Sequence, residues 1–505
     1  MVPLTSSCSP ATPTSPVSAR LLVLHLFTVI AVCLVVLAPT YWIDEAQQLR
    51  PSRALGSLGL QWPGQDPLTT PPDSPQANVQ PPFEAPHGEN ATSQVSMPVA
   101  VIGPPPLADA PLIARTQPED GRPPVDLPHV AAPKSGGVDI EGLEHLEAFF
   151  KALRKSGSQP VRVMHYGDST LAGDGIAKTV RLRMKAAFGD AGPGFFVAGM
   201  DPRWMRRDDV RISRDGQWDI HTILYGGNQG RYGLGGVVAK PKGPGQIHVT
   251  GPKPGTKLGQ RVEIYANKSA RSDALRLTVN GAPVAGLEKV AHPQFDQYVL
   301  AAGADVESLK IAVAEPGLEI YGAVVEGAQG LTWETTAVVG IASGSIRQFN
   351  AAHLAGQTAV RRPELIVIML GGNETGHPGL SSPDGAGYKN GFSNAVRTLR
   401  QGAPQASCLI MSPLDQGVLA DNGQIYSRKS MPQMVRFQRE AAQELGCAFW
   451  DSWQFMGGNN SFARWLQQGL AWTDLVHLTE KGLAKIGNGF ADALMNAHLR
   501  SQEGR

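Results

Sequence analysis

Residues 161–189 read VRVMHYGDSTLAGDGIAKTVRLRMKAAFG, and this stretch decides the fold. Its opening, Val161 to Tyr166, is a short apolar run rich in β-branched and aromatic side chains, the pattern of a strand. Gly167-Asp168-Ser169 is a tight-turn and helix-capping sequence. From Thr170 to Gly189 the apolar residues fall at helical spacing, so the segment predicts strand, turn, helix, the first unit of an α/β domain. Downstream, LIVIML (365–370), CLIMSP (408–413) and CAFWDS (447–452) are short apolar runs separated by helical stretches. Runs without alternation are expected of parallel strands buried on both faces, and together they predict a doubly wound parallel sheet. Upstream, IEGLEHLEAFFKALRKSG (140–157) places Ile140, Leu143, Leu146, Phe149, Phe150 and Leu153 on one helical face and marks the start of folded sequence near Gly137.

Between residues 211 and 329 the texture changes to glycine-rich turns and short alternating strands, such as RVEIYAN (261–267), ALRLTVNG (274–281) and LEIYGAVVE (318–326). This predicts an inserted all-β module, dividing the α/β domain into parts at 137–210 and 330–505. Before it, residues 51–133 are dense in proline and small polar residues without apolar period, which predicts a disordered linker dispensable for chemistry. Residues 21–38, LLVLHLFTVIAVCLVVLA, are apolar except for His25 and Thr28, with Tyr41 and Trp42 where an interfacial belt belongs. A transmembrane anchor over 21–43, after a short segment 1–20, is the expectation. Pro39 directly after Ala38 makes a signal-peptidase site there a poor one. Arg20 precedes the span while Arg50 and Arg53 follow it, so the extracytoplasmic placement of the remainder rests on the span's position near the N-terminus.

The chain has 505 residues, 42% hydrophobic and 18% charged, enough to bury a large core. Forty-five basic against 44 acidic side chains give a formal charge of +1, without the basic surplus that binding to nucleic acid calls for. The four cysteines (Cys8, Cys33, Cys408, Cys447) form no CxxC pair and no zinc-ligand spacing, so no metal is expected. Cys408 and Cys447 each open an expected strand of one sheet, which makes them neighbours, and an exported location permits them to pair.

Three motifs carry chemistry. Ser169 stands at a strand's end and a helix's start, where N–H groups and the helix dipole stabilise a developing oxyanion. In LGGNETG (370–376) a buried strand delivers Gly371, Gly372 and Asn373 to the same edge, and an Asn amide there can donate to an oxyanion. In WTDLVHLTEKG (472–482) Asp474 and His477 lie three residues apart before a helix that Thr479 caps. A carboxylate beside an imidazole holds its tautomer and stabilises the imidazolium formed when histidine takes a serine proton. Each motif alone reads equally well as turn chemistry. Their order on an α/β pattern favours Ser169 as nucleophile, with His477 and Asp474 completing a triad.

With these motifs the sequence resembles the SGNH (GDSL) hydrolase superfamily: GDS at Gly167–Ser169, a glycine in VVGIASGSI (338–346), Asn373 in GGN, and Asp474 with His477. The resemblance implies a flavodoxin-like sheet of SGNH type and an oxyanion hole built from the Ser169 N–H, a glycine N–H and the Asn373 side chain. Gly344 is taken as that glycine; Gly340 also fits. HYGDS, FGDAGPGF (188–195), the β insertion and GGNE resemble extracytoplasmic esterases of O-acetylated peptidoglycan or related polysaccharide. An acylated polysaccharide substrate, inner-membrane attachment through the N-terminal helix and a periplasmic catalytic part are then expected. Trp204, Trp218, Tyr225, Tyr232 and Trp333 are candidates for stacking on sugar rings, and Glu374 and His377 for shaping the acyl pocket. Acyl transfer through serine needs no metal or organic cofactor. The alternatives are an O-acetyltransferase using the same acyl-enzyme and a non-catalytic cell-wall binding protein.

Overall fold

The computed structural model describes residues 137–199, 205–269, 274–314 and 317–503. The expected anchor at 21–43 and linker at 51–133 lie outside them, as does Trp204. Among the described residues, no helix is long and apolar enough to cross a membrane.

Six strands form the central sheet, in the order Ile140–Glu141, Ala448–Trp450, Ser407–Met411, Leu365–Met369, Pro160–Gly167, Gly330–Ala337. All neighbours are parallel except the first pair, which is antiparallel. The unbroken apolar runs are explained by burial of both faces. Val161, Val163, Leu365, Val367, Leu409 and Met411 point to one side, where they pack with Ile176 and Val180 of helix Gly175–Phe188 and with Ile486, Phe490 and Leu494 of helix Glu480–Glu503. Met164, Tyr166, Ile366, Ile368, Cys408 and Ile410 point to the other, against helices Ala386–Arg400 and Met431–Leu445. In Ala386–Arg400, Tyr388, Phe392, Val396 and Leu399 recur at helical spacing and supply the buried stripe. The chain leaves the central strand Pro160–Gly167 and later returns to flank it on both sides. This makes its carboxyl end a topological switch point, the crevice where ligands of doubly wound sheets bind.

Two expected helices differ in detail. Ile140 belongs not to a helix but to the two-residue edge strand pairing with Phe449 and Trp450. Gly142, at φ 70°, breaks the chain before a 3-10 turn, Leu143–Leu146, and the helix Glu147–Leu153. The helix after Ser169 comes as two, Ser169–Ala172 and Gly175–Phe188, with Asp174 in left-handed geometry between them. There the Asp174 carboxylate pairs with buried Arg181 and accepts the Asp208 N–H, which ties down the break.

The inserted module is a sandwich of a seven-stranded and a five-stranded antiparallel sheet. Ile247, Val249, Leu277, Leu309 and Ile311 of the smaller sheet meet Ala239, Val262, Ile264, Ile320 and Val325 of the larger. Strand Gly194–Phe196, ahead of the expected boundary at 211, joins the larger sheet beside Ile320–Glu326. The last module strand, Ile320–Glu326, runs almost directly into Gly330–Ala337 of the central sheet, so the two units share a continuous joint. A charged cluster lies buried there: Arg361 contacts Glu334 and Glu326, and Arg162 contacts Glu326 at 2.7 Å.

Cys408 and Cys447 form a disulfide, with Cα atoms 4.6 Å apart. The pairing of Leu409 with Ala448 sets the two preceding residues side by side on adjacent strands. The bond closes a loop with a sequence separation of 39, and constraint of the unfolded chain by such a loop stabilises by about 2–4 kcal/mol. Both thiols should therefore resist alkylation in denaturant until a reductant is added. Replacing both cysteines by alanine should lower the urea midpoint correspondingly; alkylation without reductant would show that the pair is not bonded.

Candidate active site

Asp168 caps helix Ser169–Ala172 by accepting the Thr170 N–H at 2.9 Å, which turns the chain sharply at the end of the central strand. Ser169 is left at the helix's first position, half-buried at the sheet's carboxyl edge. Its Oγ lies 3.0 Å from Nε2 of His477, although 308 residues separate them. His477 Nδ1 is 2.7 Å from Asp474 Oδ2. Asp474 Oδ1 accepts the N–H groups of Val476 and His477, both at 2.9 Å, so the four-residue turn closes on its own first side chain. Forming that turn puts Leu475 at φ 62°, a left-handed conformation that bulky L-residues adopt at a cost. A brace holds it: the Gly417 N–H, at the start of hairpin Gly417–Leu419/Ile425–Ser427, donates to the Leu475 carbonyl at 2.8 Å. Thr479 caps the C-terminal helix, accepting the Gly482 N–H at 3.3 Å.

Burial alone raises the Asp474 carboxyl, but the His477 and Val476 N–H groups and the imidazole outweigh it and hold it below the ordinary carboxylate range. Its folded value is thus depressed, so its contribution to stability is present above the unfolded value and is lost only as pH falls through the folded one. An NMR titration of Asp474 in a Ser169→Ala protein should find a midpoint below about 3.9, the unperturbed value. A midpoint above that would contradict this account of the turn.

The Gly-Gly-Asn loop packs beside the Asp168–Ser169 turn. Asp168 is buried, and burial raises its carboxyl against the N–H groups of Thr170 and Gly372 that pull it down. A Cβ on Gly372 would meet Asp168 Oδ2 at 2.7 Å, so only glycine brings the two loops this close. Asn373 is exposed, and its Nδ2 donates to the Ile341 carbonyl at 2.9 Å, which orients the amide while leaving its second N–H. Gly344 is exposed at the second position of the 3-10 helix Ser343–Gln348. The first hydrogen bond of that helix is Ser345 N–H to Ala342 O, so the Gly344 N–H precedes it and has no acceptor within the helix. Gly340, the other candidate, sits at φ 82° in the turn before it.

Other candidates fall elsewhere. Trp333 and Tyr232 are fully buried and offer no stacking face, which corrects their place among the sugar-stacking candidates. Trp218 is half-buried, with its indole N–H on the Asp215 carbonyl, whereas Tyr225 is 85% exposed. His165, close to Ser169 in sequence, lies buried in the central strand against Trp333, and burial lowers it to about 3, which keeps it neutral. His377 caps the turn Pro378–Ser381. A cavity of about 910 Å3 opens between module and sheet beside Pro160, at the strand end opposite Ser169. The polar groups of that cavity, such as Glu263 with Arg261 and Gln297, are paired with one another. Among the described residues, no group of three or more His, Cys, Asp or Glu side chains is arranged to hold a metal ion.

The sequence model of the GDSL-like lipase/acylhydrolase family matches residues 300–485. The fold matches a solved structure described as a peptidoglycan O-acetylesterase in action, at 24% identity and TM-score 0.59, over 71% of this chain and 96% of that one. Residues 300–485 of the chain thus resemble the GDSL-like hydrolases. The family match holds Gly344, Asn373, Asp474 and His477 but begins after Ser169, because the module separates the first strand and its serine from the rest of the hydrolase. Weaker similarity links the hydrolase to an acetyl xylan esterase (14% identity, 32% of this chain and 81% of that one, TM-score 0.25). A GDSL-like lipase of Parabacteroides merdae is comparably distant (15% identity, 32% and 72%, TM-score 0.25). No curated protein sequence matches the chain. The family match supports a serine ester hydrolase.

Proposed function

We propose that this hydrolase removes O-acetyl groups from a cell-envelope polysaccharide such as peptidoglycan, with Ser169 as nucleophile, His477 as base and acid, and Asp474 orienting the imidazole. The observation that carries the reading is the continuous relay from Ser169 Oγ through His477 to Asp474 at the sheet's switch point. In the first step Ser169 Oγ bonds to the ester carbonyl carbon while its proton passes to His477 Nε2. Collapse of the tetrahedral intermediate breaks the bond to the sugar oxygen, which takes that proton. Water then attacks the acetyl-enzyme, gives its proton to His477, and Ser169 leaves with that proton as acetate departs. The Ser169 and Gly344 N–H groups and the second Asn373 N–H supply the oxyanion hole.

Acetyl as the acyl group and peptidoglycan as the polymer are favoured by the similarity to a peptidoglycan O-acetylesterase along 96% of that chain. The Cys408–Cys447 disulfide supports an extracytoplasmic catalytic part, since cytosolic thiols are kept reduced, and the apolar run at 21–38 supports membrane attachment. The test is acetate release from O-acetylated peptidoglycan by the full chain, with a sugar acceptor present and absent. Acetate that depends on Ser169 supports the reading. Transfer of acetyl to the acceptor without free acetate would make the protein a transferase, and release undiminished in Ser169→Ala would remove this site from the chemistry.

A further inference from the structure

Glu374 follows Asn373 in the Gly-Gly-Asn-Glu loop, yet it points the opposite way, into the protein, and is 7% exposed. Its Oε1 accepts the Ser343 hydroxyl. Oε2 is buried without a hydrogen-bond partner among the described residues. Asn373 meanwhile reaches the Ile341 carbonyl at 2.9 Å. Two consecutive residues of one loop therefore grip Ile341 and Ser343 of the other, on either side of Ala342 and directly before Gly344. The gripping loop is itself anchored. The Glu374 N–H donates to Gly371 O at 2.9 Å, and Thr375 is held by Arg428 and Ser430 at 2.8 and 2.7 Å. A buried carboxyl with one oxygen unsatisfied is costly to keep. What it does accomplish is to fix the distance between two loop ends, each of which carries a donor of the proposed oxyanion hole.

We infer that Glu374 is a positioning residue that, through Ser343, sets the Gly344 N–H against the Asn373 amide as one preorganised oxyanion hole. The inference rests on the function proposed above. Such a hole acts in the transition state, where negative charge develops, and hardly on the bound ester. Loss of the clamp should therefore appear in kcat and not in KM. Burial pushes the Glu374 carboxyl up while the Ser343 hydroxyl pulls it down, which matches a group held for its hydrogen bonds.

The experiment compares Glu374→Ala, Glu374→Gln, Ser343→Ala and the Glu374→Ala/Ser343→Ala double variant of the full chain on a small acetyl ester, each with its Tm. Glu374→Ala should lose roughly 10- to 100-fold in kcat with KM within about threefold, short of the 100- to 1,000-fold seen when a hole donor itself is removed. Binding of methylboronic acid, which adds to a serine as a tetrahedral anion, should weaken by a similar factor. Glu374→Gln keeps an oxygen for the Ser343 hydroxyl and should recover most of the loss. Ser343→Ala should fall in kcat by a smaller factor, and the double variant should match Glu374→Ala, as two parts of one contact do. A folded Glu374→Ala with unchanged kcat, or one altered only in KM, overturns the inference. Should that variant fail to fold, unchanged kcat in Ser343→Ala overturns it equally. Ser169→Ala, run alongside, separates the two readings. Activity surviving in Ser169→Ala defeats the proposed function, whereas its loss there with kcat intact in both clamp variants defeats the clamp alone.

Discussion

Ser169→Ala should fold normally and lose ester hydrolysis by roughly four to six orders of magnitude, because it removes the atom that forms the acyl-enzyme. Alanine suits the first position of a helix capped by the Asp168 side chain, so the turn survives the change. His477→Ala should fall by a similar factor. The 3.0 Å contact between Oγ and Nε2 makes serine and histidine one device, and removal of either disables it. The double variant should therefore be scarcely worse than either single one, whereas independent contributions would multiply. Asp474→Asn should be milder by about one to two orders of magnitude, since serine and histidine remain and mainly the orientation and charge compensation of the imidazole are lost. Steady-state kinetics on a small acetyl ester, with circular dichroism to confirm folding, decide the matter. A folded Ser169→Ala protein with near wild-type turnover would sink the triad.

Arg361→Met should destabilise the protein by about 3–5 kcal/mol, the usual consequence of removing one partner from a buried ion cluster. Arg361 ends helix Ala351–Arg361 and is fully enclosed. Its guanidinium holds Glu334, from the central sheet's edge strand, and Glu326, from the last module strand, the latter at 2.7 Å. Burial alone would raise Glu326, but Arg361 and Arg162 bring it down to about 2. Its stabilisation is accordingly present above the ordinary carboxylate range and lost only as pH falls toward that folded value. Methionine fills similar space but leaves Glu334 and Glu326 with one guanidinium, that of Arg162, between them. The exposed pair Arg436–Glu440 provides the contrast: Arg436→Met should cost within about 0.5 kcal/mol. Urea denaturation at neutral pH measures both, and a loss at Arg361 no larger than that at Arg436 would refute the cluster's role at the joint.

Local chemistry makes much of this protein legible in its sequence. The strand, turn and helix around Ser169 follow from an apolar run, a Gly-Asp-Ser cap and helical spacing, all of which act within a few residues. Asp474 and His477 are three apart, and a turn of that length closes on its own first side chain, with Gly417 bracing it from elsewhere. Buried parallel strands announce themselves as unbroken apolar runs because both their faces need covering. What distant segments do to one another was hidden. Ile140 fits a helical stripe, yet it is a strand, because an open edge beside Ala448–Trp450 takes it and Gly142 breaks the chain behind it. The break at Asp174 is held by Arg181 and Asp208, which no local pattern connects to it. No local pattern links Glu326, Glu334 and Arg361, which meet only at the joint of module and sheet. Glu374 and Ser343, 31 residues apart, meet only because two strands of one sheet end at the same edge. The sequence by itself determined which side chains can do the chemistry, since capping, turn closure and periodicity are short-range. The partnership of Ser169 with a histidine 308 residues away was expected from motif order and resemblance, but the tertiary structure alone decided its 3.0 Å geometry and what clamps the loops around it, because such contacts depend on strand order and packing, which no local pattern encodes.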